Sequence, residues 1–161
     1  MAIAFDAADL AATRKANDFL ARMPRLRLQS TLHRNLVQGL MATLGPAVPA
    51  DDIVADYVES NMGDRFAEAT RYVRSYPEQL PLLAGLLPQI FTPVQIITGG
   101  QDPMVPVANA EFLHARLPNS RLDILEAGHL AWEEVSGEYG AIIAAWVNGG
   151  YLAGGTGMGR T

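Results

Sequence analysis

The 161-residue sequence predicts an α/β fold with its helices first and its strands last, on three observations. Residues 1–90 carry apolar positions at three- and four-residue spacing, the pattern of successive amphipathic helices. At Thr92-Pro93 the period changes, and Val94-Gln-Ile-Ile-Thr-Gly-Gly100 is short, β-branched and closed by two glycines, as a strand is. Strand and helix then alternate twice, which is the order of a parallel crossover, right-handed by the handedness rule.

Each element has its own signals. Asp6 caps a segment over Ala7–Arg22 that Pro24 ends. Leu28, Leu32, Leu36, Leu40 and Leu44, with Val37 and Met41 beside them, form a helix stripe that Gly45-Pro46 stops. Asp51 or Asp52 caps a short helix carrying Ile53, Val54, Tyr57 and Val58. Asp64 caps another, with Phe66, Tyr72, Val73 and Tyr76 facing inward. Pro77 breaks it and opens a further helix with Leu80, Leu83 and Leu87, which Pro88 ends. After the first strand, Pro106 opens a helix with Ala108, Phe112, Leu113 and Leu117 on one side. Pro118-Asn119-Ser120 turns into the second strand, Arg121-Leu-Asp-Ile-Leu125. The last helix runs through Ile142, Ile143, Trp146 and Val147. The glycine-crowded stretch 149–161 predicts a disordered tail.

Composition narrows the function classes. Nearly half of the residues are apolar, fewer than a fifth are charged and the net charge is −5, so the chain is globular with no basic surface for nucleic acid. The chain has no cysteine, hence no disulfide framework and no thiolate metal site, which fits a cytoplasmic location. The first sixteen residues lack the order of a signal peptide, and no run is long and apolar enough to span a membrane. No pair of histidines or carboxylates has metal-site spacing, and no glycine loop is built to cradle phosphate, so neither a metal nor a cofactor is expected.

Two loops follow the two strands: Gly99-Gly-Gln-Asp102-Pro103 and Glu126-Ala-Gly-His129. In an open parallel sheet, ligands and catalytic groups gather outside the carboxyl ends of the strands. Neighbouring strands would open both loops on one side, where Asp102 could accept the imidazole N–H of His129. A carboxylate so placed fixes the tautomer and stabilises imidazolium, and leaves the other ring nitrogen as a base. Taken singly, Asp102 is an ordinary turn or cap aspartate and His129 a hydrogen-bonded structural histidine; the pair on consecutive strands is the specific signal. Asp51-Asp52 and Glu133-Glu134 read as helix starts that meet free N–H groups and the helix dipole.

The stretch from Thr92 to Glu134 resembles the C-terminal part of the α/β-hydrolase fold family. That family has a strand, G-x-x-D-x-x-V-P and a helix, then a second strand, G-H and an acidic residue opening the last helix. Gly99, Asp102, Val105 and Pro106 match the first half, and Gly128, His129 and Glu134 the second. The resemblance implies that Asp102 is the triad acid and His129 the triad base. It implies three regions: a helical cap or lid over 1–90, the C-terminal part of the hydrolase core over 91–148 and the tail over 149–161. Trp132 packs over the histidine, lines the pocket mouth or belongs to the core. Tyr57, Tyr72 and Tyr76 are substrate-binding candidates, since cap tyrosines activate an epoxide oxygen in the epoxide-hydrolase branch; otherwise they fill the apolar face.

The chain departs from the family at the nucleophile. Its serines are Ser30, Ser60, Ser75, Ser120 and Ser136, and none sits in a G-x-S-x-G elbow. No histidine is followed by the glycine of the family's oxyanion loop. The implied molecule is the cap and the last two strands of a hydrolase, without its N-terminal strands and inactive alone. Its substrate, once an N-terminal half completes it, is a small apolar ester, lactone, epoxide or related compound. The first strand is apolar at both parities, so its unpaired edge invites another chain. The alternative reading is a non-catalytic interaction module, or truncated gene product, that pairs or self-associates through that edge.

Overall fold

The computed structural model describes residues 30–47, 49–63, 65 and 75–150. The helix expected over Ala7–Arg22, the inward-facing residues Phe66, Tyr72 and Val73, and the chain beyond 150 lie outside them. The described elements are α1 (Ser30–Met41), α2 (Asp51–Ser60), α3 (Tyr76–Leu86) with a 3-10 turn at Leu87–Gln89, β1 (Val94–Gly99), α4 (Val107–His114), β2 (Ser120–Leu125), α5 (Ala131–Glu134) and α6 (Ser136–Ala145). A wide turn over Trp146–Gly150 follows, in which Gly149, at φ 100°, leaves helical geometry.

The helix α1 stops at Met41, ahead of the glycine that reads as its stop. Its last turn tightens, with both the amide and the hydroxyl of Thr43 donating to the Leu40 carbonyl. Leu44 stays in the buried stripe with Val37 and Met41 although it lies beyond the helix. Its carbonyl is therefore free to accept from elsewhere. In α2, Val54 and Val58 are buried, as the spacing predicts. Ala50 holds the cap position without a side-chain bond, and Asp51 and Asp52 occupy the first turn, where their charge suits the helix dipole. Tyr76 begins α3 instead of ending an earlier helix, and Pro77 occupies the first turn that tolerates it. Of the leucines expected inward there, Leu87 is buried, while Leu83 is exposed, as are Leu82 and Leu86.

β1 and β2 pair in parallel over their full lengths, from Val94 opposite Ser120 to Gly99 opposite Leu125. They are the only strands among the described residues, so each has one bare edge. The crossover helix α4 buries Asn109 and Ala110. Ala108, expected inward, is exposed, and Leu117 is buried in the turn that follows. Phe112 is half-buried beneath the guanidinium of Arg116, 3.4 Å from its ring centre.

Two apolar clusters hold these parts. One joins Val37, Met41, Leu44, Val54 and Val58 to Leu130, with Tyr57 and Met104 against it, so the paired helices α1 and α2 rest on the loops that leave both strands. The other places Ile97 of β1 and Tyr139 and Ile142 of α6 around Leu125, Ala127 and Ala131. The second cluster is thin. Ile143 and Val147 are exposed, and among the described residues only two strands lie beside α6 to cover its apolar side chains. A cleft of about 290 Å³ opens there between Gln95, Ile97, Tyr139, Ile143 and Trp146. No helix among the described residues is long and apolar enough to cross a membrane.

The contrast between the two clusters is measurable. Val54, 2% exposed, loses two buried methyl groups in Val54→Ala, and urea denaturation should show about 2 kcal/mol less stability. Val147→Ser, at a position 70% exposed, should stay within about 0.5 kcal/mol of the parent in the same titration.

Candidate active site

The pairing of the strands continues past their ends. The amide of Gly100 donates to the Leu125 carbonyl at 2.7 Å and that of Gln101 to the Ala127 carbonyl at 2.9 Å, so the two loops leave the same edge side by side. Asp102 follows at once. Its Oδ1 accepts from the amides of Met104 (2.7 Å) and Val105 (2.9 Å), which fixes the carboxylate plane and satisfies the start of the next loop. Its Oδ2 is 2.8 Å from Nδ1 of His129. A carboxylate only accepts, so that nitrogen carries the proton, and a neutral ring then has a bare Nε2. The side chain of Asp102 is 6% exposed and that of His129 is 28% exposed. The acid is thus shielded and the imidazole reaches the surface of the site, the division that a proton relay needs. Among the described residues, Nε2 has no hydrogen-bond partner.

The histidine loop is held by close backbone approach. The amide of His129 donates to the freed carbonyl of Leu44 at 2.7 Å. Glu134 reaches back so that the amide of Gly128 donates to its carboxylate at 3.0 Å. A Cβ on Gly128 would overlap the Cα of Gly45 and stand 2.7 Å from the Leu44 carbonyl oxygen. A Cβ on Gly99 would overlap the carbonyl oxygens of Gly128 and Ala127. Gly99 and Gly128 are therefore glycines because three backbone segments pass one another at that point, while a Cβ on Gly45 would first meet the Glu134 carboxylate.

Behind the histidine, Trp132 stands edge-on to the imidazole with ring centres 6.5 Å apart, and Tyr139 stands edge-on to Trp132 at the same distance. The indole N–H donates to the hydroxyl of Tyr57 at 2.9 Å, and that hydroxyl donates to Glu133 at 3.2 Å. Burial raises the pKa of Tyr57 above 10.0; the Trp132 N–H opposes this, and the charge of Glu133 and its hydrogen bond add to it.

The structure thus brings Asp102, His129, Trp132 and Tyr57 into one neighbourhood. Tyr76 lies half-buried at the start of α3, and Tyr72 lies outside the described residues. Glu133 and Glu134, which read as helix-start acids, lie in the first turn of α5 and also bind Tyr57 and the Gly128 amide. The sequence gives no sign of the Leu44 carbonyl, because a backbone acceptor leaves no trace in residue type. Gly45 is a sign that reads equally well as a helix stop. No group of three or more histidines and acids among the described residues is placed to hold a metal ion.

Solved structures share this architecture. A thermophilic esterase from Thermogutta terrifontis superposes with a TM-score of 0.61 over 89% of this chain and 51% of its own, at 15% identity. An esterase from Exiguobacterium antarcticum gives 0.57 over 88% and 48%, also at 15% identity. The chain carries the C-terminal portion of the α/β-hydrolase fold. The α/β-hydrolase portion also matches curated proteins over shorter stretches. It is 42% identical over 45 residues to 3-oxoadipate enol-lactonase 2 of Acinetobacter baylyi, covering 28% of this chain and 17% of that protein. It is 36% identical over 66 residues to the pimeloyl-[acyl-carrier protein] methyl ester esterase of Neisseria meningitidis serogroup B, covering 40% and 26%. The matches thus span 17% and 26% of these curated relatives and about half of the solved structures. No protein-family model matches the chain.

Two measurements probe the site. Gly128→Ala forces backbone against backbone and should cost at least about 3 kcal/mol in urea denaturation, with loss of protection of the His129 amide in hydrogen exchange. Tyr57 holds its proton more tightly folded than unfolded, so its contribution to stability is intact below pH 10 and declines as pH rises through the folded pKa. Absorbance titration at 295 nm should accordingly show a component above pH 10 that Tyr57→Phe removes.

Proposed function

We propose that this chain supplies the acid and the base of an α/β-hydrolase acting on a small, largely apolar ester, lactone, epoxide or related compound. Asp102 is the acid and His129 the base. The observation that carries the reading is the 2.8 Å bond between Asp102 Oδ2 and His129 Nδ1, made by a carboxylate whose other oxygen is tied to two amides. In that geometry, for an ester, Nε2 takes the proton of an attacking hydroxyl and gives it to the leaving alcohol; it then takes a proton from the water that attacks the acyl group and returns it to the nucleophile's oxygen as the acid product leaves. Asp102 stays ionised throughout and offsets the imidazolium charge. The esterase and lactonase names of the curated relatives support the substrate class.

The nucleophile is not in this chain, which has no G-x-S-x-G sequence. An N-terminal half supplies it and adds its strands at the bare edge of β1. In this reading residues 1–90 are the cap, with Trp132 and the tyrosines 57, 72 and 76 toward the substrate, and residues 91–148 complete the core. The half-buried strand and the cleft beside it also favour a second reading, in which the same edge pairs with another copy of the chain and no catalysis follows.

Alone, the chain should hydrolyse p-nitrophenyl esters no faster than its His129→Ala variant and should not react with a fluorophosphonate; stoichiometric labelling would refute the assignment. Joined to an N-terminal half with a serine elbow, drawn from the DNA flanking its own coding sequence, it should gain both activities. Asp102→Asn keeps the acceptor for the two amides but spoils the tautomer, and should lower kcat of the joined protein about 10⁴-fold with KM little changed. Undiminished kcat in that variant would remove Asp102 from the mechanism. A discrete dimer in size-exclusion chromatography that persists when the N-terminal half is added would favour the second reading.

A further inference from the structure

We infer that Tyr57 is a positioning residue for His129, acting through Trp132. The inference rests on the reading of His129 as the base, and it starts from a difficulty. Trp132 is 42% exposed, and an exposed indole has rotamers to choose from. The structure holds it in one. Its N–H donates to the Tyr57 hydroxyl at 2.9 Å, and that hydroxyl in turn donates to Glu133 at 3.2 Å, on the residue next to Trp132. Tyr57 belongs to α2, where it packs against the cluster of Val54 and Val58. One hydroxyl on a packed helix therefore grips two consecutive side chains of α5.

The indole so gripped stands edge-on to the imidazole, with ring centres 6.5 Å apart. It blocks one side toward which His129 would swing if it left Asp102. Among the described residues the ring's one hydrogen bond is at Nδ1, and the Leu44 bond restrains the backbone and leaves the side-chain torsions free. Burial holds the Tyr57 hydroxyl neutral, so it remains a donor to Glu133 throughout the range in which a histidine base works. The helical segment thereby acts on the base at two points: on its backbone through Leu44 and on its ring through Tyr57 and Trp132.

The test uses the chain as it is, labelled with ¹⁵N-histidine, and reads exchange of the His129 Nδ1 proton with solvent. Tyr57→Phe keeps the packed ring and deletes the hydroxyl. It should speed that exchange about fivefold, the effect of losing one neutral hydrogen bond, while exchange of the Ile97 amide in β1 stays unchanged. Trp132→Phe should do the same, and the double variant should be no faster than either single one, because both break one linkage. Glu133→Gln, which keeps an acceptor for the hydroxyl, should retain the parent rate. Unchanged Nδ1–H exchange in Tyr57→Phe overturns the inference. So does an equal acceleration at Ile97, which would mean general loosening, and so do additive effects in the double variant. If Tyr57→Phe does not fold, Trp132→Phe alone decides by the same criteria. No substrate or nucleophile enters these measurements, so their failure leaves the triad assignment standing. Failure of the Asp102→Asn kinetics in turn leaves the linkage intact.

Discussion

The close passage of three backbone segments at Gly128 is the constraint on which the rest of the structure depends. The end of β1, the loop after β2 and the turn after α1 meet there with no room for a Cβ on Gly99 or Gly128. Interiors are packed too tightly to absorb such an overlap, so the three segments are located relative to one another by contact alone. Asp102 lies three residues beyond Gly99 and His129 one residue beyond Gly128. Their 2.8 Å bond is thus a consequence of where the backbones cross. The turn after α1 enters the same crossing and brings the Leu44 carbonyl to the amide of His129. Helices that precede the sheet in sequence are thereby tied to the edge that carries Asp102 and His129.

That tie explains how a two-stranded sheet keeps an ordered edge. Two parallel strands make a marginal sheet, and here the middle of β1 is half-buried and the far face of α6 is open. The carboxyl ends of the strands are different. Gly99, Leu125, Ala127 and Gly128 are buried, and the cluster that covers the loops takes most of its members from α1 and α2. Burial therefore grades from the bare strand edge and the outer face of α6 toward the site. The Asp–His pair sits at the well-packed end, where stability comes from the helical segment more than from the sheet.

The same grading decides what was legible in the sequence. The strands were legible because β-branched runs bounded by proline and glycine have few alternatives, and their parallel register follows from the crossover. The approach of Asp102 to His129 was legible because both end a strand. Helix existence was readable for α1 and α2 from spacing, yet Leu83 of α3 and Ala108 of α4 are exposed although spacing groups them with the buried Leu87 and Leu117. Periodicity reports which side of a helix is apolar, not whether anything covers it, and α6 has too few strands beside it. Asp51, Asp52, Glu133 and Glu134 do lie in first turns, as helix-start acids, but the cap positions fall to Ala50 and Leu130, and the two glutamates also take tertiary partners that spacing does not show.

Asp102 shows why bland and functional readings of a residue need not compete. One of its oxygens makes the short loop bonds of an ordinary turn aspartate, to Met104 and Val105. The other faces the imidazole. The structural role makes the chemical one possible, since a carboxylate free to rotate would offer His129 a moving acceptor and lose rotamer entropy on each encounter. Glu134 and Tyr57 make further structural bonds around His129, Glu134 to the Gly128 amide and Tyr57 to Trp132 and Glu133. The site is built from ordinary turn and packing interactions, and its specificity lies in their convergence on one ring.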